Sequence, residues 1–135
     1  MKTTEDLNKL TQGTLMEHLD IRFLEISNDS ISASMPVKQQ TMQPFGRLHG
    51  GASLALAESV ASAGSWAIID DEQVMVLGTE VSGSHVGGAK MGVVIASGKL
   101  VHAGRKHHVW EVVIQDETGK NISLCRITNT LISVH

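Results

Sequence analysis

The chain has 135 residues, 41% of them apolar, enough for one compact domain over residues 1–135 whose core needs no staple. Its net charge of −3, with histidine neutral, argues against a broad nucleic-acid surface, and the cluster Arg105-Lys106-His107-His108 is too short to reverse that. A single cysteine, Cys125, excludes an intrachain disulfide, and its place in an apolar run reads as a small core residue rather than a nucleophile.

Thr4-Glu-Asp-Leu opens with an N-cap signal, and Leu7 and Leu10 follow at helical spacing, with Leu15 and Leu19 beyond, so one or two short helices are expected there. The N-terminus lacks the basic-then-apolar pattern of a secretory signal, and a cytoplasmic location is the expectation. A strand is predicted over 20–26 and a turn at Asn28-Asp29. Ile31, Ala33, Met35 and Val37 alternate with polar residues as a half-buried strand that Pro36 closes. Residues 39–48 read as a loop. A long apolar helix follows from about Gly51 to Ile69, ended by Asp70-Asp71-Glu72. Its four serines, several glycines and central glutamate argue against a membrane span. Four strands are then predicted, at 73–83, 90–102, 106–116 and 121–134, as a meander with a hairpin turn at Asp116-Glu-Thr-Gly119. A helix apolar on nearly every side needs cover on every side. One antiparallel sheet covers only one, and a second copy of the chain is the simplest cover for the other.

Glu58 is the only charged side chain between Arg47 and Asp70. An ionised carboxylate away from water must be partnered, protonated or functional. Gly50-Gly51 stand where the helix leaves backbone N–H groups unpaired, a place able to polarise a carbonyl and stabilise an oxyanion. Eight residues separate Gly50 from Glu58, about 12 Å along the axis, too far for one carbonyl to touch both. Two helices packed antiparallel across a twofold axis would bring Glu58 of one chain to Gly50 of the other. Ser62 lies one turn beyond Glu58 on the same face, able to hold the carboxylate or a water. With Gln43 in the preceding loop and His49 beside the glycines, the set suits carbonyl transfer. Taken singly, each residue also has a structural role: a paired acid, a histidine hydrogen-bonding the helix start, glycines for close packing, a small helix-packing serine.

The segment Gln43-Pro-Phe-Gly-Arg-Leu-His-Gly-Gly-Ala-Ser-Leu-Ala-Leu-Ala-Glu58-Ser resembles the central motif of hotdog-fold acyl-CoA thioesterases of the PaaI-like group, which includes small bacterial enzymes acting on aryl-CoA and 1,4-dihydroxy-2-naphthoyl-CoA. The resemblance spans roughly residues 15 to 132. Supporting segments are Met35-Pro-Val, Val76-Leu-Gly-Thr-Glu-Val-Ser-Gly-Ser-His85, Gly104-Arg-Lys-His-His-Val-Trp110 and Cys125-Arg-Ile-Thr. It implies an α+β hotdog fold, an antiparallel sheet curled around one long helix. It also implies hydrolysis of acyl-CoA to free acid and coenzyme A without a cofactor or metal. In that light Glu58 matches the catalytic base or nucleophile, and Gly50 the residue whose N–H polarises the thioester carbonyl. Gln43 and His49 match residues flanking the thioester, and Ser62 the hydroxyl that assists water. Sites straddling two subunits, usually in a dimer of dimers, are implied as well.

For coenzyme A, Gly78, His85 and Gly88 match positions along the pantetheine and nucleotide path, as does the segment containing His102, Gly104, Arg105, Lys106 and His107. Arg105 and Lys106 suit phosphate physically, though charges in a strand-to-strand turn are also ordinarily solvated. Where relatives often place arginine after the histidine matched by His85, this chain runs Val86-Gly87-Gly88-Ala89, which implies a weaker nucleotide contact or one supplied by Lys90. The acyl pocket is expected to be poor in aromatic groups. Two other readings stand beside the hydrolase: a hotdog dehydratase or hydratase, which needs an acid–base pair reaching the α and β carbons, and a non-catalytic acyl-CoA-binding module, which has no need of a buried base. The histidine spacing matches no zinc pattern, and Gly83-Ser-His-Val-Gly87-Gly88 is not a dinucleotide fingerprint.

Overall fold

The structure, a computed structural model, describes residues 1–134. Helix α1 (Thr4–Leu10) is closed at its start by a reciprocal pair between Thr3 and Asp6. Helix α2 (Leu15–His18) is capped by the Thr14 hydroxyl. The early segment therefore forms two short helices. Asn8 of α1 brackets the backbone of Phe23, accepting its N–H at 2.8 Å and donating to its carbonyl at 3.0 Å. That fixes α1 against strand β1 (Arg22–Ile26), at the point where the register with β2 (Ser30–Pro36) slips between Phe23 and Glu25.

A 3₁₀ turn (Gln39–Thr41) interrupts the expected 39–48 loop, and helix α3 runs from Gly50 to Ile69. Asp70 ends it with φ +48°, a left-handed position. The Asp70 carboxylate meets the Met1 amino group and Lys2 Nζ, each at 3.1 Å, and these partners hold it below the usual carboxylate range. Strands β3 (Val74–His85), β4 (Val93–Ala103), β5 (His107–Asp116) and β6 (Asn121–Ser133) complete one antiparallel six-stranded sheet in the order β1-β2-β4-β5-β6-β3. This is the hotdog arrangement.

The expected four-strand meander is corrected. Strands β4, β5 and β6 do follow one another, but β3 pairs with β6 at the far edge. The reach of the connections explains this. A 20-residue helix is about 30 Å long and carries the chain across the four interstrand spacings from β2 to β3, about 19 Å. Residues 86–92 return it to β4, a link longer than the two to five residues of a hairpin.

Ser53, Leu56, Ala57, Val60, Ala61, Gly64 and Ala67 recur every three or four positions and form the stripe of α3 buried on the sheet. They meet Met35, Val94, Ala96, Trp110, Val112, Ile114 and Ile127, all fully buried. Gly64 makes room for the Trp110 ring, since a Cβ there would stand 2.7 Å from Cη2. The helix is long and apolar enough to cross a membrane by composition, yet it is the core helix of this sheet. Its other face is only half-covered.

Candidate active site

The less covered face of α3 carries Ala55, Glu58, Ser59, Ser62 and Trp66, spaced three and four apart. They border a cavity of about 700 Å³ whose apolar wall includes Leu10, Leu15, Met16, Trp66 and Val76. Glu58 is half-buried at its edge. Among the described residues no hydrogen-bond donor and no cation reaches its carboxylate. The carboxyl lies over β3 at Gly78, where a Cβ would stand 2.7 Å from Glu58 Oε2 and 2.9 Å from Cγ. Gly78, expected on the coenzyme A path, is thus the residue whose missing side chain seats the candidate catalytic acid.

Ser62 does not hold Glu58. Its hydroxyl donates to Asn129 Oδ1 at 3.2 Å. Ser59 is also engaged elsewhere, donating to the Ala55 carbonyl at 2.6 Å.

The helix start forms a second group. His49 is the N-cap of α3, and its Nδ1 accepts the Gly51 N–H at 2.7 Å. The His49 carbonyl takes the N–H groups of Ala52 and Ser53. The Gly50 N–H alone has no acceptor among the described residues. His85 packs against it: a Cβ on Gly50 would stand 2.6 Å from His85 Nε2, and His85 Nδ1 lies 2.8 Å from Ser123 Oγ. Gln43 turns back into its own loop, its Oε1 accepting the Phe45 N–H at 2.5 Å, which leaves its amide N–H groups to point elsewhere. Gly88 lies beside Arg47, and Leu48 N–H donates to the Ala89 carbonyl. Gln43, His49, Gly50, His85 and Gly88 therefore belong to one end of the molecule.

A third group, His102, Gly104, Arg105, Lys106 and His107, lies at the β4–β5 turn and the strand ends beside it, where Gly104 N–H donates to the His107 carbonyl at 2.8 Å. A Cβ at Gly104 would stand 2.8 Å from His102 Nε2. This turn is at the opposite end of the sheet. On β6, His107 pairs with Thr130 and His85 with Ser123, seven residues away, or about 23 Å along the strand. Within one chain the two coenzyme A segments do not meet.

A buried polar cluster escaped the sequence reading. Asn129 and Ser65 are fully buried, His108 nearly so. Trp110 Nε1–H donates to Ser65 Oγ at 2.8 Å, Asn129 Nδ2 donates to Ser65 Oγ at 3.0 Å and to the Ala61 carbonyl at 3.1 Å, and Ser65 Oγ lies 2.9 Å from His108 Nδ1. Burial, then the nearby His102, lowers the His108 pKa below its ordinary value. The signal available was an asparagine at an inward position of the alternation Cys125, Ile127, Asn129. Cys125 is buried as expected, and burial pushes its thiol pKa up.

Residues 45–123 match the thioesterase superfamily. The chain belongs to that family. It is 42% identical to the 1,4-dihydroxy-2-naphthoyl-CoA hydrolase of Escherichia coli over 96% of this chain and 95% of the relative. It is also 42% identical to the proofreading thioesterase EntH of Cronobacter turicensis, over 96% of this chain and 93% of that one. Among solved structures, a mutant thioesterase from Pseudomonas aeruginosa superposes with a TM-score of 0.95 at 36% identity, covering 99% of this chain and 96% of the other. A thioesterase from Haemophilus influenzae gives 0.93 at 35% identity, covering 99% and 93%. This thioesterase superfamily member is accordingly a thioester hydrolase with the hotdog fold.

Proposed function

We propose that the protein hydrolyses acyl-CoA thioesters, with Glu58 as the general base that activates water. The observation that carries this reading is an unpaired carboxylate at the edge of an apolar cavity, seated by a glycine made for it. A carboxylate without donor or cation is free to take a proton, and Ser62 one turn away leaves room for a water between them. The 1,4-dihydroxy-2-naphthoyl-CoA hydrolase and the EntH thioesterase among the relatives support a coenzyme A substrate with an aryl or similarly bulky acyl group, for which the cavity between Leu15, Met16 and Trp66 has the volume. No cofactor enters the reaction.

The Gly50 N–H polarises the thioester carbonyl, and it does so across a subunit interface. Gly50 and Glu58 of one chain are about 12 Å apart along the helix. The open face of α3 lies beside β3, whose twelve residues form an edge of the sheet with no neighbour on one side. A second copy covers both and supplies the missing half of each site. A dimer of dimers in the cytoplasm extends the same reading. The turn Arg105-Lys106 then binds the phosphates of a coenzyme A whose thioester lies at another subunit's helix start. A hotdog dehydratase is the less favoured reading: the relatives support hydrolysis, and Glu72, the other acid bordering the cavity, follows the end of α3 rather than sharing the face that carries Glu58 and Ser62.

Thiol release from a panel of aryl- and aliphatic acyl-CoAs tests the reaction. Glu58→Ala should lower turnover about 10²- to 10⁴-fold while the protein stays folded. A near-wild-type rate would remove Glu58 from the mechanism. Subunit mixing tests the interface. Gly50→Pro removes the N–H at the first helical position and also crowds His85, whose Nε2 would lie 2.6 Å from the new Cβ, so it disables that half of the site. Refolding it with Glu58→Ala should restore about a quarter of wild-type activity, since half the dimers are hybrids with one intact site of two. Sites contained within single chains would give none.

A further inference from the structure

Three residues of α3 stand over one row of the sheet. Gly78 on β3 is in register with Asn129 on β6, and Asn129 with His108 on β5. Glu58 sits above Gly78, Ser62 bonds to Asn129, and Ser65 bonds to both Asn129 and His108. The proton positions in this row are fixed by donor and acceptor capacity alone. The Ala61 carbonyl can only accept, so the Asn129 atom 3.1 Å from it must be the NH₂ group. The carbonyl oxygen of Asn129 then faces Ser62, and the Ser62 hydroxyl must donate to it at 3.2 Å. The indole N–H of Trp110 can only donate, so it and the Asn129 NH₂ fill both lone pairs of Ser65 Oγ. The Ser65 hydrogen is left to donate to His108 Nδ1, which makes His108 a neutral imidazole protonated on Nε2.

We propose that Asn129 is a positioning residue: by taking the only proton of Ser62, it leaves Ser62 able only to accept from the cavity and so orients the water that Glu58 activates. This rests on the hydrolase reading with Glu58 as base. A water between two acceptors, the Glu58 carboxylate and Ser62 Oγ, donates one hydrogen to each and turns a lone pair outward. That lone pair attacks the thioester carbon. The water oxygen bonds to carbon as Glu58 takes one proton and the carbonyl π pair moves to oxygen. Collapse restores the C=O bond, the C–S bond breaks, and the departing thiolate takes the proton back from Glu58. One water and one thioester give one acid and one thiol. Without Asn129 the Ser62 hydroxyl swings to donate to Glu58, occupying the carboxylate oxygen that should take the water's proton and turning the water away.

The test is Asn129→Ala in the full-length protein, assayed for thiol release alone and combined with Ser62→Ala. Asn129→Ala should lower kcat about 10- to 100-fold with KM within about twofold. In the Ser62→Ala background it should add no further loss, because the group it orients is gone. An unchanged kcat in the folded single variant overturns the proposal, as does an equal loss in both backgrounds, which marks a merely structural role. Nitrogen-15 NMR of the wild-type imidazoles gives a second measurement that needs neither activity nor a variant. His108 protonated on Nε2 with bare Nδ1 supports the orientation. A proton on Nδ1 overturns it, because Ser65 would then face three donors. A wild type that hydrolyses no acyl-CoA refutes the hydrolase reading, while the imidazole measurement still reads the direction of the Ser62 bond.

Discussion

Gly78→Ala separates where the Glu58 carboxylate sits from what it does. The added methyl would stand 2.7 Å from Oε2, 2.9 Å from Cγ and 3.0 Å from Cδ of Glu58. Ordinary contacts begin near 3.4 Å, so the outer part of the side chain must retreat by several tenths of an ångström. Its end borders an open cavity, and β3 at this point has its register slip between Gly78 and Glu80. The side chain therefore yields before the sheet does. A rotamer displaced by about 30° costs of order 1 kcal/mol, equivalent to a few degrees in Tm. The catalytic cost is larger: a misplacement of about 1 Å costs on the order of 100-fold, so a retreat of several tenths of an ångström should cost on the order of 10-fold in rate. Steady-state thiol release gives the rate, and thermal unfolding gives the stability. The same substitution in a Glu58→Ala background should be neutral or slightly stabilising, since the methyl then meets vacated space and the unfolded chain loses freedom. An equal loss of stability in both backgrounds would place the clash somewhere other than the carboxylate. Wild-type turnover by folded Gly78→Ala would show that the seat of Glu58 is irrelevant to catalysis.

His49→Ala should cost about 1 kcal/mol by removing the cap on the Gly51 N–H, and should lower kcat by loosening the Gly50 N–H; chemical denaturation and thiol release check the two parts, and an unchanged kcat would contradict the role given to the helix start. Gly64→Ala should destabilise by about 1–3 kcal/mol in urea unfolding, because Trp110 is fully buried and cannot retreat from a methyl 2.7 Å away; a stabilised variant would mean that the helix preference for alanine outweighs the clash. The buried His108, its pKa lowered chiefly by burial, binds its proton more readily in the unfolded chain, so its contribution to stability is full above the ordinary histidine value of 6.5 and is lost as pH falls from there through the folded value. Unfolding free energies between pH 7.5 and 5 should slope accordingly, and His108→Asn should flatten the slope; an unchanged slope would assign it to other groups.

What was legible in the sequence was local. A threonine announces the first short helix because a hydroxyl can take a free backbone N–H where a helix starts, but the cap is Thr3, one place before the expected Thr4, and the cap at Thr14 escapes the sequence reading. The glycine pair and the lone acid of α3 stand out because an apolar helix offers an acid no solvation of its own. Gly78 is legible only as a position matched to the coenzyme A path, since nothing within β3 reveals that a carboxylate 20 residues earlier lies on it. The same holds for the strand order: β3 looks like the first strand of a meander until the length of α3 and of residues 86–92 is set against the width of the sheet.

The polar row of Asn129, Ser65 and His108 was hidden for a further reason. Each residue alone has an unremarkable local role: a small helix serine, a strand asparagine between two threonines, a histidine opening a strand after a basic turn. Their common meaning depends on bonds between residues 43 to 68 positions apart in the chain. A buried amide in a hotdog core carries a desolvation cost of about 1–3 kcal/mol unless every group is satisfied, and here each one is. An apolar core would have served folding as well without the need to satisfy four polar side chains at once. The row ends at Ser62, beside Glu58, rather than at a purely structural contact. That placement is what ties the cluster to the chemistry of the cavity.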